Sequence, residues 1–430
     1  MKVAIVVAAF FTCICAHAQA GPGSSVCADA AKATFKEKPH GTYHALIEND
    51  AFTGYLGARN TDRWYTNGVK FMRELDVNEP PLWVLCGPPG LANLLQFGRG
   101  EEMEVQYGYA LGQLMFTPQK ITDPAPQPLD RYWGGWLYLG TIVQRRPKGS
   151  DDQLETLELD YGVVGPASLA EQAQKVVHGL MDIKKPQGWS NQLKTEPGIQ
   201  MNYLRSDRLR HSTSGPDDLG YDITSHAGGM LGTMFTSVNG GIGLRVGKRL
   251  AGSPVGTIEL PALGGMASPA DRWYTLFRMD VRRVLHNTFI DGSLFRSDPY
   301  ASQIGAKDWV VQSTMGFVME WQRGSKLMLL LNRRSPEFNN IVGATPIQTF
   351  MTLGVSWQYD LAAPFRRRKN GDVPRFPPFF AAMLIRLRQF PFAESGRVAS
   401  MTARLVFCRR FPIFERWTGW YSAWPRIRLG

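Results

Sequence analysis

A strict alternation of apolar and polar residues, repeated along most of the chain, limits the fold more than any other feature. In MEVQYGYALG (103–112) the odd positions are Met, Val, Tyr, Tyr and Leu, and the even ones Glu, Gln, Gly, Ala and Gly. WVVQSTMGFVMEWQ (309–322) and IQTFMTLGVSWQYD (347–360) follow the same rule, as do Leu157, Leu159, Tyr161 and Val163 against Glu158, Asp160 and Gly162. Period two means extended strands with one apolar and one polar face. A soluble sandwich shares this pattern, but three details favour a membrane barrel. The strands reach ~10 residues or more, the length of a tilted spanning strand. Trp309, Trp321, Trp357 and Tyr359 sit at strand ends, as at a lipid interface. The polar face carries glycine and charge, which suits a lumen.

Twelve segments read as strands, roughly 42–50, 65–75, 103–115, 133–146, 153–164, 196–206, 221–231, 236–246, 273–286, 309–322, 326–334 and 347–359. The expected fold is all-β, a twelve-stranded antiparallel transmembrane barrel. An even count puts both ends of the barrel-forming chain in the periplasm. The connections at 51–64, 116–132, 165–195, 232–235, 287–308 and 335–346 then face the exterior. The first twenty residues, MKVAIVVAAFFTCICAHAQA, combine Lys2, an apolar run and small-x-small cleavage sites, and predict a secretory signal peptide. Residues 21–360 form the barrel domain. Cys27 and Cys86 fall at the periplasmic end, as either a disulfide or two buried thiols.

The formal charge of +11 is confined to one region. Residues 361–430 hold 14 Lys+Arg and 3 Asp+Glu; subtraction from totals of 48 and 37 leaves 34 of each in 1–360. The balanced body gives no support to nucleic-acid binding. The Arg-rich 361–430 segment reads as a disordered basic extension, a membrane- or nucleic-acid-binding tail, or out-of-frame read-through, and its preference for Arg over Lys favours the first or the last.

PASLAEQAQKVVHGLM (166–181) breaks the alternation. Ser168 and Glu171 form an S-x-x-E capping box behind Pro166. Leu169, Ala173, Val176, Val177 and Leu180 recur at helical spacing on one face, and Gln174 and His178, four apart, neighbour each other on another. A short helix in the third exterior loop is expected.

IENDAFTGYLGARNTDRWYTNGVKF (47–71) concentrates oxygen-bearing groups. Asn49-Asp50 closes the first strand and Thr66-Asn67-Gly68 opens the second, so both lie at one rim. Such oxygens suit a hard cation such as Ca²⁺; they also suit an ordinary Asx turn. His178 is either a general base for water or part of a solvated helix face. The sequence contains no G-x-S-x-G elbow, no H-E-x-x-H and no C-x-x-C, so those hydrolytic chemistries have no support.

Four stretches taken together, END…DRWYTNG (48–68), GQLMFTP (112–118), YGVVGPASLAEQAQKVVH (161–178) and GWSNQLKTEPG (188–198), resemble the outer-membrane lipid A 3′-O-deacylases of the LpxR type. The resemblance covers about residues 40–360. It implies a twelve-stranded barrel that removes the 3′-linked acyloxyacyl chain of lipid A and requires Ca²⁺. It places the catalytic His on His178 and the metal-site pair on Asn49 and Asp50. It places the hydroxyl–Asn pair on Thr66 and Asn67, and the Gln one turn before the His on Gln174. His would act as general base with Ca²⁺ stabilising the oxyanion. Lipopolysaccharide is the implied substrate, the protein a monomer in the outer membrane. Arg63, Arg131 and Lys70 are candidates for phosphate contacts, with Lys70 better read as a lumen charge; Glu196 and Asp182 are near the site only in sequence. The rival readings are a non-catalytic porin or structural barrel, and an outer-membrane phospholipase, which needs a Ser beside a His.

Overall fold

The computed structural model describes residues 42–56, 63–75, 103–180, 182–212, 218–250, 272–321, 325–339 and 347–358. The expected signal peptide, Cys27, Cys86 and the 361–430 segment lie outside these residues. Twelve strands form a closed barrel in sequence order, each antiparallel to its neighbours. They are β1 Thr42–Asn49, β2 Trp64–Glu74, β3 Met103–Thr117, β4 Gly134–Pro147, β5 Gln153–Val164 and β6 Glu196–His211. The second half comprises β7 Leu219–Gly232, β8 Phe235–Lys248, β9 Arg272–Asn287, β10 Trp309–Trp321, β11 Ser325–Arg334 and β12 Gln348–Gln358. β12 closes on β1, with Thr42 opposite Gln358 and Asn49 opposite Met351. Closure removes the unpaired sheet edge that hydrocarbon would not tolerate.

The two faces follow the alternation. Phe71, Leu111, Leu139, Phe277 and Met315 stand exposed on the outside, whereas Leu46, Lys70, Ala110 and Glu158 are buried inside. At the end where β1 begins, Tyr43 stacks on Trp357 at 6.0 Å and Trp273 on Phe317 at 6.2 Å. Trp309 stands exposed at the opposite end. Rings at both ends of an apolar wall are the girdles of a membrane-spanning barrel.

The lumen is filled. In the half where β1 begins lies an apolar cluster that includes Leu46, Met72, Ile142, Leu276 and Met328, bordered at that end by the buried His44, Glu74 and Ser356. Above it runs a charged and hydrogen-bonded layer. Lys70 Nζ lies 2.5 Å from Glu158, Asn202 donates to Asp160 at 3.0 Å, and Thr352 donates to Glu48 at 2.9 Å. His226 and Arg278 both meet Asp280, at 2.5 and 2.6 Å. The third layer is aromatic and includes Tyr65, Phe116, Trp136, Tyr138, Phe289 and Phe350. Buried charges in low dielectric persist because each has a partner. Arg131, from the β3–β4 connection, closes the top: its guanidinium sits 4.5 Å above the Phe116 ring and 3.3 Å from Glu337. This filling leaves the porin reading without a channel through the described layers.

The connection between β5 and β6 carries α1, Ala170–Leu180, and β9 is followed by a single turn, α2, Thr288–Asp291. The expected helix exists, with two differences. Its start is not a capping box: Ser168 lies in a preceding 3₁₀ turn and donates to Gly165 O at 2.6 Å, Leu169 adopts a left-handed φ of 59°, and Glu171 pairs with Lys175. The buried stripe is Ala170, Gln174 and His178, whereas Leu169, Val176, Val177 and Leu180 are 52, 60, 47 and 75 % exposed. The solvated-face reading of His178 therefore fails. A water-facing helix turns its apolar face inward; at a membrane rim the apolar face can turn outward.

Candidate active site

Four outward-facing positions line up across four strands. Asn49 pairs with Asn67, Asn67 with Met115, and Met115 with Gly135. Neighbouring strands lie ~4.8 Å apart, so the Asn-Asp corner of β1 stands two strands from the wall beneath α1.

The corner is shaped by local turn chemistry. Asn49 Oδ1 accepts from Ala51 N at 2.7 Å and starts the 3₁₀ turn Ala51–Leu56. Asp50 O accepts from the Thr53 hydroxyl at 2.7 Å, and Asp50 Oδ2 from Arg63 N at 2.8 Å. The Asp50 side chain is fully buried. Asn67 Nδ2 donates to Glu48 O at 3.0 Å. The Asx-turn reading of this stretch is thus correct for Asn49, and it holds the carboxylate of Asp50 in place. Trp64 takes a left-handed φ of 66°, and a β-bulge falls between Tyr65 and Asn67. Bulges re-aim side chains at barrel rims. Here the bulge buries Tyr65 and Thr66 together, with the Thr66 hydroxyl 2.7 Å from that of Thr117.

The helix is docked onto the outer wall. Gln113 Nε2 donates to Ser168 O at 2.6 Å. A Cβ on Gly135 would fall 2.2 Å from Ala170 Cβ and 2.4 Å from Ser168 Oγ, so only glycine permits this approach. Met115, Trp133, Ala170 and Trp189 form one buried cluster. Met115 therefore joins the two halves of the site, opposite Asn67 on one side and under α1 on the other.

The buried face of α1 presents Gln174 and His178 one turn apart. Trp189 Nε1 donates to Gln174 Oε1 at 2.8 Å, which leaves the amide NH₂ as the donating end. His178 Nδ1 lies 2.6 Å from Lys184 O. A carbonyl only accepts, so Nδ1 carries the proton and the neutral ring holds its lone pair on Nε2. A ring so oriented is prepared to act as a base.

The remaining candidates separate. Lys70 is a lumen charge paired with Glu158, as expected. Arg131 is fully buried at the lumen mouth against Glu337 and, contrary to expectation, is not placed to meet a lipid phosphate. Arg63 stacks over the Trp64 ring at 4.4 Å. Burial holds its pKa below the usual guanidinium range against the pull of Asp50 and Asp130. Glu196 is engaged by the Ser293 hydroxyl at 2.5 Å, and Asp182 takes a left-handed φ of 54° after α1. Lys184 O, Trp189, Gln113 and Gly135 have no individual signal in the sequence that marks their part here. The first acts through its backbone and carries no side-chain signal.

Among the described residues no group of three or more His, Cys, Asp or Glu is spaced to hold a metal. Asn49 and Asp50 offer one carboxylate with amide and carbonyl oxygens. That all-oxygen set fits a hard cation in kind and does not suit a soft one. A serine does meet a histidine in the lumen: Ser356 Oγ is 2.7 Å from His44 Nδ1, and His44 Nε2 is 3.0 Å from Glu74. All three are at least 95 % buried, inside the wall, where a lipid ester has no approach.

The family model described as outer membrane protein LpxR matches residues 5–359. The solved LpxR from Salmonella typhimurium superposes with a TM-score of 0.56 at 14 % identity, covering 74 % of this chain and 99 % of that one. The β domain of the Bordetella autotransporter BrkA (10 % identity, TM-score 0.34, coverage 75 and 99 %) and the translocator domain of NalP from Neisseria meningitidis (9 %, 0.29, 78 and 97 %) are more remote. No curated protein matches. With a closed barrel of twelve strands and a family match over most of its length, this chain belongs to the LpxR family of outer membrane proteins.

Proposed function

We propose that this protein hydrolyses the 3′-linked acyloxyacyl ester of lipid A in the outer leaflet, with the α1 end of the barrel facing the exterior. The observation that carries this reading is His178, buried against the outer wall with Nδ1 held by Lys184 O. Its Nε2 takes a proton from water as the oxygen attacks the ester carbonyl. The imidazolium then returns the proton to the departing sugar-linked oxygen, giving a carboxylic acid and a free hydroxyl. Gln174, held by Trp189, turns its NH₂ toward the water or the carbonyl oxygen, and Thr66 and Asn67 position the ester from the wall side. Asn49 and Asp50 would hold Ca²⁺, which when bound supplies a Lewis acid for the ester carbonyl. The outward apolar face of α1 supports a lipid substrate, because it sets Val176, Val177 and Leu180 against acyl chains rather than water.

Mass analysis of lipid A from cells producing the protein tests the reading. Loss of one acyloxyacyl unit is expected, and is prevented by His178→Ala or a Ca²⁺ chelator. Unchanged lipid A beside correctly inserted protein refutes it, and single-channel conductance in that same preparation would restore the porin alternative.

A further inference from the structure

Hydrocarbon-facing charge is unfavourable, by roughly 2–4 kcal/mol for Arg or Lys at the bilayer midplane and little near the headgroups. On the outward faces of the described strands, in the halves nearer the α1 end, Arg283 and Arg333 are the only charged side chains. Both are cations and both are exposed. Arg283 lies four residues from the end of β9, Arg333 one from the end of β11, and Trp309 opens β10 between them. Trp309 pairs directly with Arg283 and receives its guanidinium 5.9 Å from the ring centroid. No carboxylate among the described residues bridges to either arginine.

Below them the wall is hollowed into an apolar groove lined by Phe277, Met315, Phe317, Leu329 and Leu331. Met315 is opposite both Phe277 and Leu331, so the groove crosses β9, β10 and β11. Leu331 and Arg333 are two apart on one strand and share its outward face. The groove therefore leads up to Arg333. In the ring of twelve, β10 stands six strands from β4, the strand α1 covers. The patch thus lies across the barrel from the candidate active site.

We infer that β9–β11 carry a second lipid site, which holds a phosphorylated glycolipid of the outer leaflet by its phosphates on Arg283 and Arg333 and by an acyl chain in the groove. Charge complementarity selects the occupant: the cations stand near the strand ends on the side of the headgroups, and an arginine fork matches a phosphate. The inference rests on the orientation proposed above and not on the hydrolytic chemistry.

Native mass spectrometry of the full chain in mild detergent, titrated with bisphosphorylated lipid A, tests it. Arg283→Gln with Arg333→Gln is expected to weaken retention of one lipid roughly 30-fold, the combined effect of two basic residues at an anionic surface. Arg283→Lys with Arg333→Lys keeps most of it, and lipid A stripped of phosphate binds the parent weakly. Deacylation in detergent stays unchanged in the glutamine variant. Heat-dependent gel mobility confirms that each variant is a folded barrel. Equal retention by parent and glutamine variant overturns the site. Equal competition by phosphatidylglycerol overturns the choice of glycolipid. A protein that deacylates nothing yet loses lipid on substitution would sink the enzymatic reading alone.

Discussion

His178 Nδ1 stands 2.6 Å from the carbonyl oxygen of Lys184. One backbone oxygen thereby sets the tautomer of the ring and puts the lone pair on Nε2. His178→Ala should reduce lipid A deacylation to background, and His178→Asn, which keeps a donor to Lys184 O, should be equally inactive. Both should insert and show heat-dependent mobility like the parent. Full activity in either, by mass analysis of lipid A, would remove His178 from the mechanism.

Asp50 carries the carboxylate of the Asn-Asp corner among the described residues. Asp50→Asn should raise the Ca²⁺ concentration needed for half-maximal deacylation by tenfold or more, an effect on the order of 1.4 kcal/mol. Ca²⁺ should also raise the unfolding temperature of the parent and not of the variant, since a ligand for the folded state stabilises it. A shift of equal size in both would place the cation elsewhere.

Gly135 is where α1 touches the wall. Gly135→Leu would force a side chain into Ala170 and Ser168 and lift the helix. Activity should fall at least a hundredfold while the barrel still resists heating in detergent, because the added side chain points outward. Simultaneous loss of barrel and activity would contradict this division between platform and lid.

Lys70 holds Glu158 inside the lumen, beside Asp160. Lys70→Met should destabilise the barrel by about 3–5 kcal/mol, the usual cost of stranding a buried partner. Chemical denaturation in lipid vesicles would measure it. No loss of stability would mean that the Lys70–Glu158 pair does not hold the barrel together.

Glu337 closes the lumen mouth with Arg131 and Arg334. Burial pushes its pKa up, yet Arg334, Arg131 and Arg282 pull further and hold it below the ordinary value. A depressed carboxylate contributes stability above its unfolded pKa of about 4.3 and loses it as pH falls through the lower folded value. Acidification below about pH 4 should therefore loosen the mouth, and Glu337→Gln should remove that part of the pH dependence. Hydrogen exchange at Arg131 N and its neighbours would report it.

Strand existence and facing were legible because hydrocarbon and lumen impose period two on every strand. All twelve segments appear, several longer than expected: β6 runs to His211 and β7 starts at Leu219. These extra residues lie at the end away from α1, where the alternation weakens and sequence gives little warning. The placement of the candidate residues was legible, since Asn49, Asp50, Thr66, Asn67, Gln174 and His178 all lie on the rim elements expected from the sequence, whereas their roles came from the family resemblance alone. Their geometry was not legible. Ser168 and Glu171 match a cap at the level of sequence, but the left-handed Leu169 shifts the helix start past it. The buried polar stripe on α1 inverts the rule for soluble helices, which the sequence pattern alone does not signal. Lys184 contributes a carbonyl, to which its side chain gives no clue.

The packed interior has a consequence for the cell. Among the described residues the sheet cylinder is packed with aromatic rings and ion pairs, so abundant expression is expected to add little leak to the permeability barrier. Selection would then act on the dose of such a protein mainly through what happens on its outer flank.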